Sequence, residues 1–130
     1  MNRQKRAAAI HDISCFGKCS LTVALPILSA AGIEAAVIPT AVLSTHTGGF
    51  ADFTYRDLTA DLRPIMAHWK RLGLQFDAVY SGYLGSFEQV SIVRDLSARF
   101  VQRARSCLLI PLWRMAVSYI KRLIRLLWRR

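Results

Sequence analysis

The sequence predicts an α/β domain of three layers: a short, mostly parallel sheet flanked by helices, followed by a basic C-terminal helix. Three observations carry this reading. The apolar runs Ala7 to Ile13, Ala35 to Thr40 and Phe76 to Ser81 are short and lack strict alternation, as strands covered on both faces do. Segments with helical spacing separate them. Polar, glycine-bearing turns follow the runs, where open parallel sheets bind their ligands. The order strand, helix, strand, loop, helix, strand, helix then calls for right-handed crossovers between parallel strands.

The first helix is expected from about Ser20 through Leu21, Ala24, Leu25 and Leu28 to a stop at Gly32, with a kink at Pro26. A second should occupy Thr59 to Leu72, with Asp61 in its first turn and Gly73 just beyond its end. Ile65, Trp69 and Leu72 form its predicted buried stripe. A third starts after Gly85, where Ser86 and Gln89 have the spacing of a capping box and Val90, Val93, Leu96 and Phe100 recur on one face. No internal repeat is evident.

A chain of 130 residues, 53% hydrophobic and 20% charged, suits one compact globular domain. Its formal charge of +10 points at first to nucleic acid or an anionic membrane. The distribution argues otherwise. Residues 1–102 hold ten basic and eight acidic side chains, whereas residues 103–130 hold eight basic and none acidic. No nucleic-acid partner is expected. Cys15, Cys19 and Cys107 match no zinc or dithiol spacing, which suits a reducing compartment. The apolar stretch after Arg3, Lys5 and Arg6 breaks at His11 and Asp12, too early for an export signal, so a cytoplasmic location is expected. Arg114, Lys121, Arg122 and Arg125 interrupt the apolar stretch Leu108 to Leu127, which disfavours a membrane anchor.

Chemistry is expected in three turns: His11 to Ser20, Leu43 to Phe50, and Ser81 to Ser86. Glycine lets the backbone approach a ligand, and Asp, Thr and Ser supply directional hydrogen bonds. None is a Walker loop or a dinucleotide fingerprint. Each residue also has a plainer role: Asp12 as a turn cap, His46 as a loop histidine, Cys15 and Cys19 as small half-buried thiols, Lys18 as a solvated cation.

Taken in order, A-I-H-D-I-S-C-F-G-K-C-S, P-T-A-V-L-S-T-H-T-G-G-F and F-D-A-V-Y-S-G-Y-L-G-S resemble the amino-terminal half of pyridoxal (pyridoxamine) kinases of the ribokinase-like superfamily, over about residues 7–101. The resemblance implies transfer of the ATP γ-phosphoryl group, with magnesium, to the 5'-hydroxymethyl of pyridoxal, pyridoxine or pyridoxamine, in vitamin B6 salvage by a homodimer. It implies substrate contacts from Asp12, at a position often held by Ser, from Thr47 and from the wall residue Tyr83. Carboxylate, hydroxyl and aromatic face suit a hydroxylated heteroaromatic ring. Hydroxymethylpyrimidine kinases, with a similar substrate, are the nearest alternative. The catalytic G-x-G-D aspartate and most of the nucleotide site belong to the family's carboxyl-terminal half, so no catalytic residue is assigned here and little turnover is expected of this chain.

Residues 1–102 thus read as family sequence and 103–130 as a basic amphipathic tail. Where the family continues into a D-P-V-M-type motif, the chain departs. A family-like peptide VDPVMADGGKLYKTFD, back-translated with suitable codons and read one base later, yields the run Leu109 to Leu123 of this chain. A single-base shift near Gln102 would explain the charge jump and the lack of any acidic residue after Asp95. The competing reading is a genuine helix with Trp113, Val117, Ile120, Ile124 and Leu127 on one face and arginines for anionic lipid, a non-enzymatic membrane-binding role. Resequencing the coding DNA across Val101 to Arg130 separates them. The frame-shift reading expects a neighbouring frame that runs into D-P-V-M and later G-x-G-D; finding none would make the tail native.

Overall fold

The computed structural model describes residues 4–101, the backbone of 107–109, and residues 124–125. In chain order the elements are β1 (Arg6–Phe16), α1 (Leu21–Ala30), β2 (Glu34–Thr45), β3 (Tyr55–Asp57), α2 (Thr59–Arg71), β4 (Ala78–Ser81), α3 (Phe87–Phe100) and β5 (Cys107–Leu109). They form one sheet of order β3-β2-β1-β4-β5. β1 pairs in parallel with both β2 and β4, β5 adds in parallel to β4, and only β3 runs antiparallel, against β2.

Side chains of β1 alternate between two cores, as the pleat requires. Ala7 and Ala9, with Tyr80, meet Leu21, Ala24 and Leu28 of α1. Ala8 and Ile10, with Ile38 and Val79, meet Leu62 and Met66 of α2 and Ile92, Val93, Leu96 and Phe100 of α3. The three expected layers are therefore present, α1 on one face and α2 with α3 on the other.

α1 runs from Leu21 to Ala30 with Pro26 inside it and with Leu21, Ala24 and Leu28 buried, as the sequence predicts. Several other details differ from the sequence expectation. In α2 the buried residues are Leu62 and Met66; Leu72 is 59% exposed, and Ile65 and Trp69 pack only partly. In α3 Val90 is 44% exposed, and Gln89 and Ile92 take the buried face with Val93, Leu96 and Phe100. The docked face of α2 is thus rotated relative to its predicted stripe, while α3 keeps Val93, Leu96 and Phe100 of its stripe and exchanges Val90 for Gln89 and Ile92, because the docked face is set by the cap and the sheet rather than by the bulkiest apolar side chains. The strand over residues 76–81 is shorter than expected, the two before it are longer, and β3 falls in a predicted loop.

Of the basic tail, the helical face lies outside the described residues except at Ile124, which packs against the α1-side core beside the exposed Arg125. The backbone of β5 continues the sheet beyond residue 102, pairing Val79 with Cys107 and Ser81 with Leu109. Among the described residues no helix is long and apolar enough to cross a membrane.

The core assignment makes a direct prediction. Leu96→Ala should cost about 2–5 kcal/mol in urea unfolding, as for a filled interior site, and Val90→Ala about 0.5 kcal/mol or less. Equal losses would restore the face that the sequence predicts.

Candidate functional site

β4 ends at Ser81, opposite Ile10, but β1 runs on to Phe16 beside β2, which ends at Thr45. Beyond the last β4 pair the sheet thus continues as a narrow ribbon of β1, β2 and β3, standing past the carboxyl end of its neighbour. Between His11 and Ile13 the register slips: His11 pairs with Pro39 and Ile13 with Val42, so β2 carries one extra residue. Ser14, Leu43 and Tyr55 are in register across the three strands. They share the face that carries Ala8 and Ile10 lower down, the side of α2 and α3.

Asp12 lies on this face, half-buried. Its Oδ1 accepts a hydrogen bond from Ser20 Oγ at 2.6 Å, and its Oδ2 one from Ser14 Oγ at 3.3 Å. Two hydroxyls hold the carboxylate in place while part of its acceptor capacity stays open. The hold on Ser20 is costly. Ser20 precedes α1 and would ordinarily cap it, but its side chain makes no cap bond and its φ is 54°. A left-handed non-glycine residue costs about 1–3 kcal/mol, which its bond to Asp12 and its bridge to Ile13 offset.

Two tyrosines border the same end of the sheet. Tyr83 projects from the turn between β4 and α3, 63% exposed, and Tyr55 from β3, 54% exposed. A methyl group placed on Gly85 would lie 3.8 Å from Tyr55 Oη and 3.8 Å from Tyr83 Cε1, so both rings border one spot. Tyr55 donates to Asp57 Oδ2 at 3.3 Å. Its hydroxyl is pushed above the usual tyrosine range by burial first, then by Asp57, and further by Tyr83 and Asp12. Asp57, itself exposed, is held below the ordinary carboxylate range by hydrogen bonds from the Thr59 hydroxyl and N–H. The structure therefore joins Asp12 and Tyr83 through Tyr55, a residue of a segment that the sequence predicts as loop.

Thr47 stands apart. It is exposed in the 46–50 turn, and among the described residues no hydrogen bond or ring contact joins it to Asp12, Tyr55 or Tyr83. Its neighbour His46 anchors that turn. The His46 ring lies on Gly17, at φ 84°, where any Cβ would collide with it. His46 Nδ1 accepts from Gly48 N–H at 3.0 Å, and its ring meets Phe50 edge-on at 4.8 Å. These contacts give His46 a structural role in the turn. Cys15 and Cys19 are free thiols, exposed and half-buried.

His11 sits directly behind this site. It is 4% exposed, 4.5 Å from the Tyr80 ring centre, and so close to Gly82 that a side chain there would strike the imidazole. Burial lowers its pKa to about 4, against the opposing pull of Asp12, so it is neutral at pH 7. Among the described residues no three His, Cys, Asp or Glu side chains gather as metal ligands.

No protein-family model and no curated protein sequence matches the chain. Solved structures do. A protein from Bacteroides thetaiotaomicron assigned as a phosphomethylpyrimidine kinase, crystallised with pyridoxal, superposes with a TM-score of 0.80 at 39% identity over 94% of this chain. In fold the chain is the amino-terminal part of a ribokinase-like protein. Pyridoxal kinase from Lactobacillus plantarum follows at TM-score 0.64 and 28% identity over 97% of the chain. Pyridoxal kinase from Leishmania donovani, in complex with ADP and pyridoxamine, shares the fold at TM-score 0.63 and 19% identity over 72% of the chain. The chain spans 46%, 47% and 34% of these three proteins.

The buried imidazole sets a pH dependence. An unfolded histidine gains a proton near pH 6.5, whereas folded His11 resists it down to about 4. Stability is therefore complete above pH 6.5 and is lost as pH falls toward 4, by about 3 kcal/mol. Urea midpoints measured from pH 7 to 4.5 should fall, and His11→Met should flatten the slope. An unchanged slope in that variant would assign it to other groups.

Proposed function

We propose that these residues form the substrate-side half of a ribokinase-like kinase that phosphorylates the hydroxymethyl group of a small hydroxylated heteroaromatic, with pyridoxal-type B6 vitamers as the first choice. The observation that carries this is the hydroxyl-held Asp12 within electrostatic reach of Tyr55, whose hydroxyl borders Gly85 together with Tyr83, in a chain 39% identical to a protein crystallised with pyridoxal.

Each group has a chemical task in this reading. The Asp12 carboxylate, oriented by Ser14 and Ser20, accepts from a ring N–H or a ring hydroxyl. The two tyrosine rings cover the flat faces of the heterocycle and exclude water from them. Thr47, on the turn pinned to Gly17 by His46, is exposed and in this reading orients a polar substituent of the substrate through its hydroxyl. ATP and magnesium supply the phosphoryl group and its charge neutralisation. In this reading most of their residues come from the family's carboxyl-terminal half, so turnover by these 130 residues alone should be at or near background. The homodimer of the family and a cytoplasmic site of action belong to the same reading.

A second substrate is favoured by one observation: the 39% identical protein is assigned as a phosphomethylpyrimidine kinase. A hydroxymethylpyrimidine offers the same flat ring and alcohol.

Calorimetric titration of the chain with pyridoxal, and separately with 4-amino-5-hydroxymethyl-2-methylpyrimidine, tests both readings. Saturable binding of pyridoxal should weaken roughly tenfold in Tyr83→Ala and by a similar factor in Asp12→Ala. Preference for the pyrimidine would exchange the two readings, and binding of neither would remove both.

A further inference from the structure

Gln89 has the sequence position of one member of a capping box, and its backbone does play that part: its N–H donates to Ser86 Oγ at 3.2 Å. Its side chain goes elsewhere. In a capping box the residue at this place turns back to the N–H of the cap residue. Here Gln89 Oε1 accepts from Gly85 N–H at 2.8 Å, and Gln89 Nε2 donates to Thr59 Oγ1 at 2.8 Å, across a sequence distance of thirty residues. The residue is 1% exposed, the most deeply buried amide side chain among the described residues.

The bonds continue in one direction. The Thr59 hydroxyl, which accepts from Gln89, donates onward to Asp57, and the Thr59 N–H reaches Asp57 Oδ1 at 2.6 Å. Asp57 Oδ2 accepts from the Tyr55 hydroxyl at 3.3 Å. Tyr55 Oη returns to the neighbourhood of Gly85, where the chain of bonds began. A circuit of bonds, open only between Tyr55 and Gly85, thus ties the 82–86 turn, the start of α2, and β3 to a single buried amide. Hydrogen bonds linked in series in this way reinforce one another.

We propose that Gln89 is a positioning residue of the candidate site: its amide fixes the turn that carries Tyr83 against the strand that carries Tyr55, and so sets the width of the gap between the two rings. The proposal rests on the site reading above but concerns the geometry of the rings, which is measurable with no ligand present. Gln89 touches no substrate in this scheme; it acts through Gly85 and Thr59. An aliphatic side chain of similar length fills the space but holds neither partner, and it leaves the turn tied only by its backbone ends.

The test uses the whole chain and two variants. In Gln89→Leu, amide hydrogen exchange at Gly85 should quicken at least tenfold relative to the change at Leu96, which reports global unfolding. The nuclear Overhauser contacts from Gly85 Hα to the rings of Tyr55 and Tyr83 should fade together. Thr59→Val cuts the circuit at its second bond, preserves the Gln89–Gly85 bond, and should weaken the contact to Tyr55 while sparing that to Tyr83. If Gln89→Leu does not fold, the Thr59→Val pattern alone carries the decision. Pyridoxal affinity, where the parent chain binds it, should fall roughly tenfold in Gln89→Leu. Should the parent chain bind no pyridoxal, the function reading fails while the exchange and ring contacts still decide this one. Exchange at Gly85 that rises only in step with Leu96, or ring contacts unchanged in both variants, would overturn the proposal.

Discussion

Ala7, Ala8 and Ala9 lie in the first half of β1, and none of the three has any exposed surface. β1 is hydrogen-bonded on both edges, to β2 and to β4, and packed on both faces, by α1 and by α2 with α3. Such a strand must be narrow as well as apolar, because each methyl meets a helix layer directly. Larger side chains here would push the layers apart; smaller ones would leave voids in both cores at once. The helices set their distance from the sheet on these three methyl groups, and the polar residues further along β1 inherit their position from that packing.

From that anchor the chemistry follows by continuation. β1 leaves the closed part of the sheet after Ile10, and its next residues are His11 and Asp12. The pleat sends them to opposite sides. His11 enters the space against Tyr80 and Gly82, where only the neutral form is tolerated. Asp12 turns to the ribbon side and is met by two serine hydroxyls. One step along a strand separates a buried group behind the candidate site from the carboxylate on its face.

The parts of this arrangement differ in how plainly the sequence shows them. The parallel strands are legible because a strand buried on both faces must be an unbroken apolar run, and Ser86 is legible as a cap because its spacing to Gln89 is local. Asp12 and Tyr83 are placed by resemblance, and the structure brings them to one face through Tyr55. β3 is not legible: Tyr55, Arg56 and Asp57 are all exposed, three residues are too few for a period, and the strand exists only because β2 offers a free edge. The destination of the Gln89 side chain is equally hidden, since Thr59 lies thirty residues away and no local pattern points to it. Ser20 misleads in a different way. Its position announces a helix cap, but the hydroxyl is diverted to Asp12, a choice that depends on the bridge between residues 13 and 20. The departures from the predicted helix stripes have a related cause: Val90 and Leu72 are apolar enough to be core, and only the docking of α2 and α3 reveals that they are not.

The extra residue in β2 between Pro39 and Val42 has a consequence for how such a site is inherited. Strand geometry reverses the side of the sheet with every residue, so this one insertion fixes the parity of everything downstream, including which of Leu43 and Ser44 looks inward. Loss of a single codon at Thr40 or Ala41 would leave composition, charge and strand propensity almost untouched. It would nonetheless present the opposite row of β2 side chains to Asp12. The length of β2, counted to the residue, is thus as much a part of the site's specification as any side chain within it.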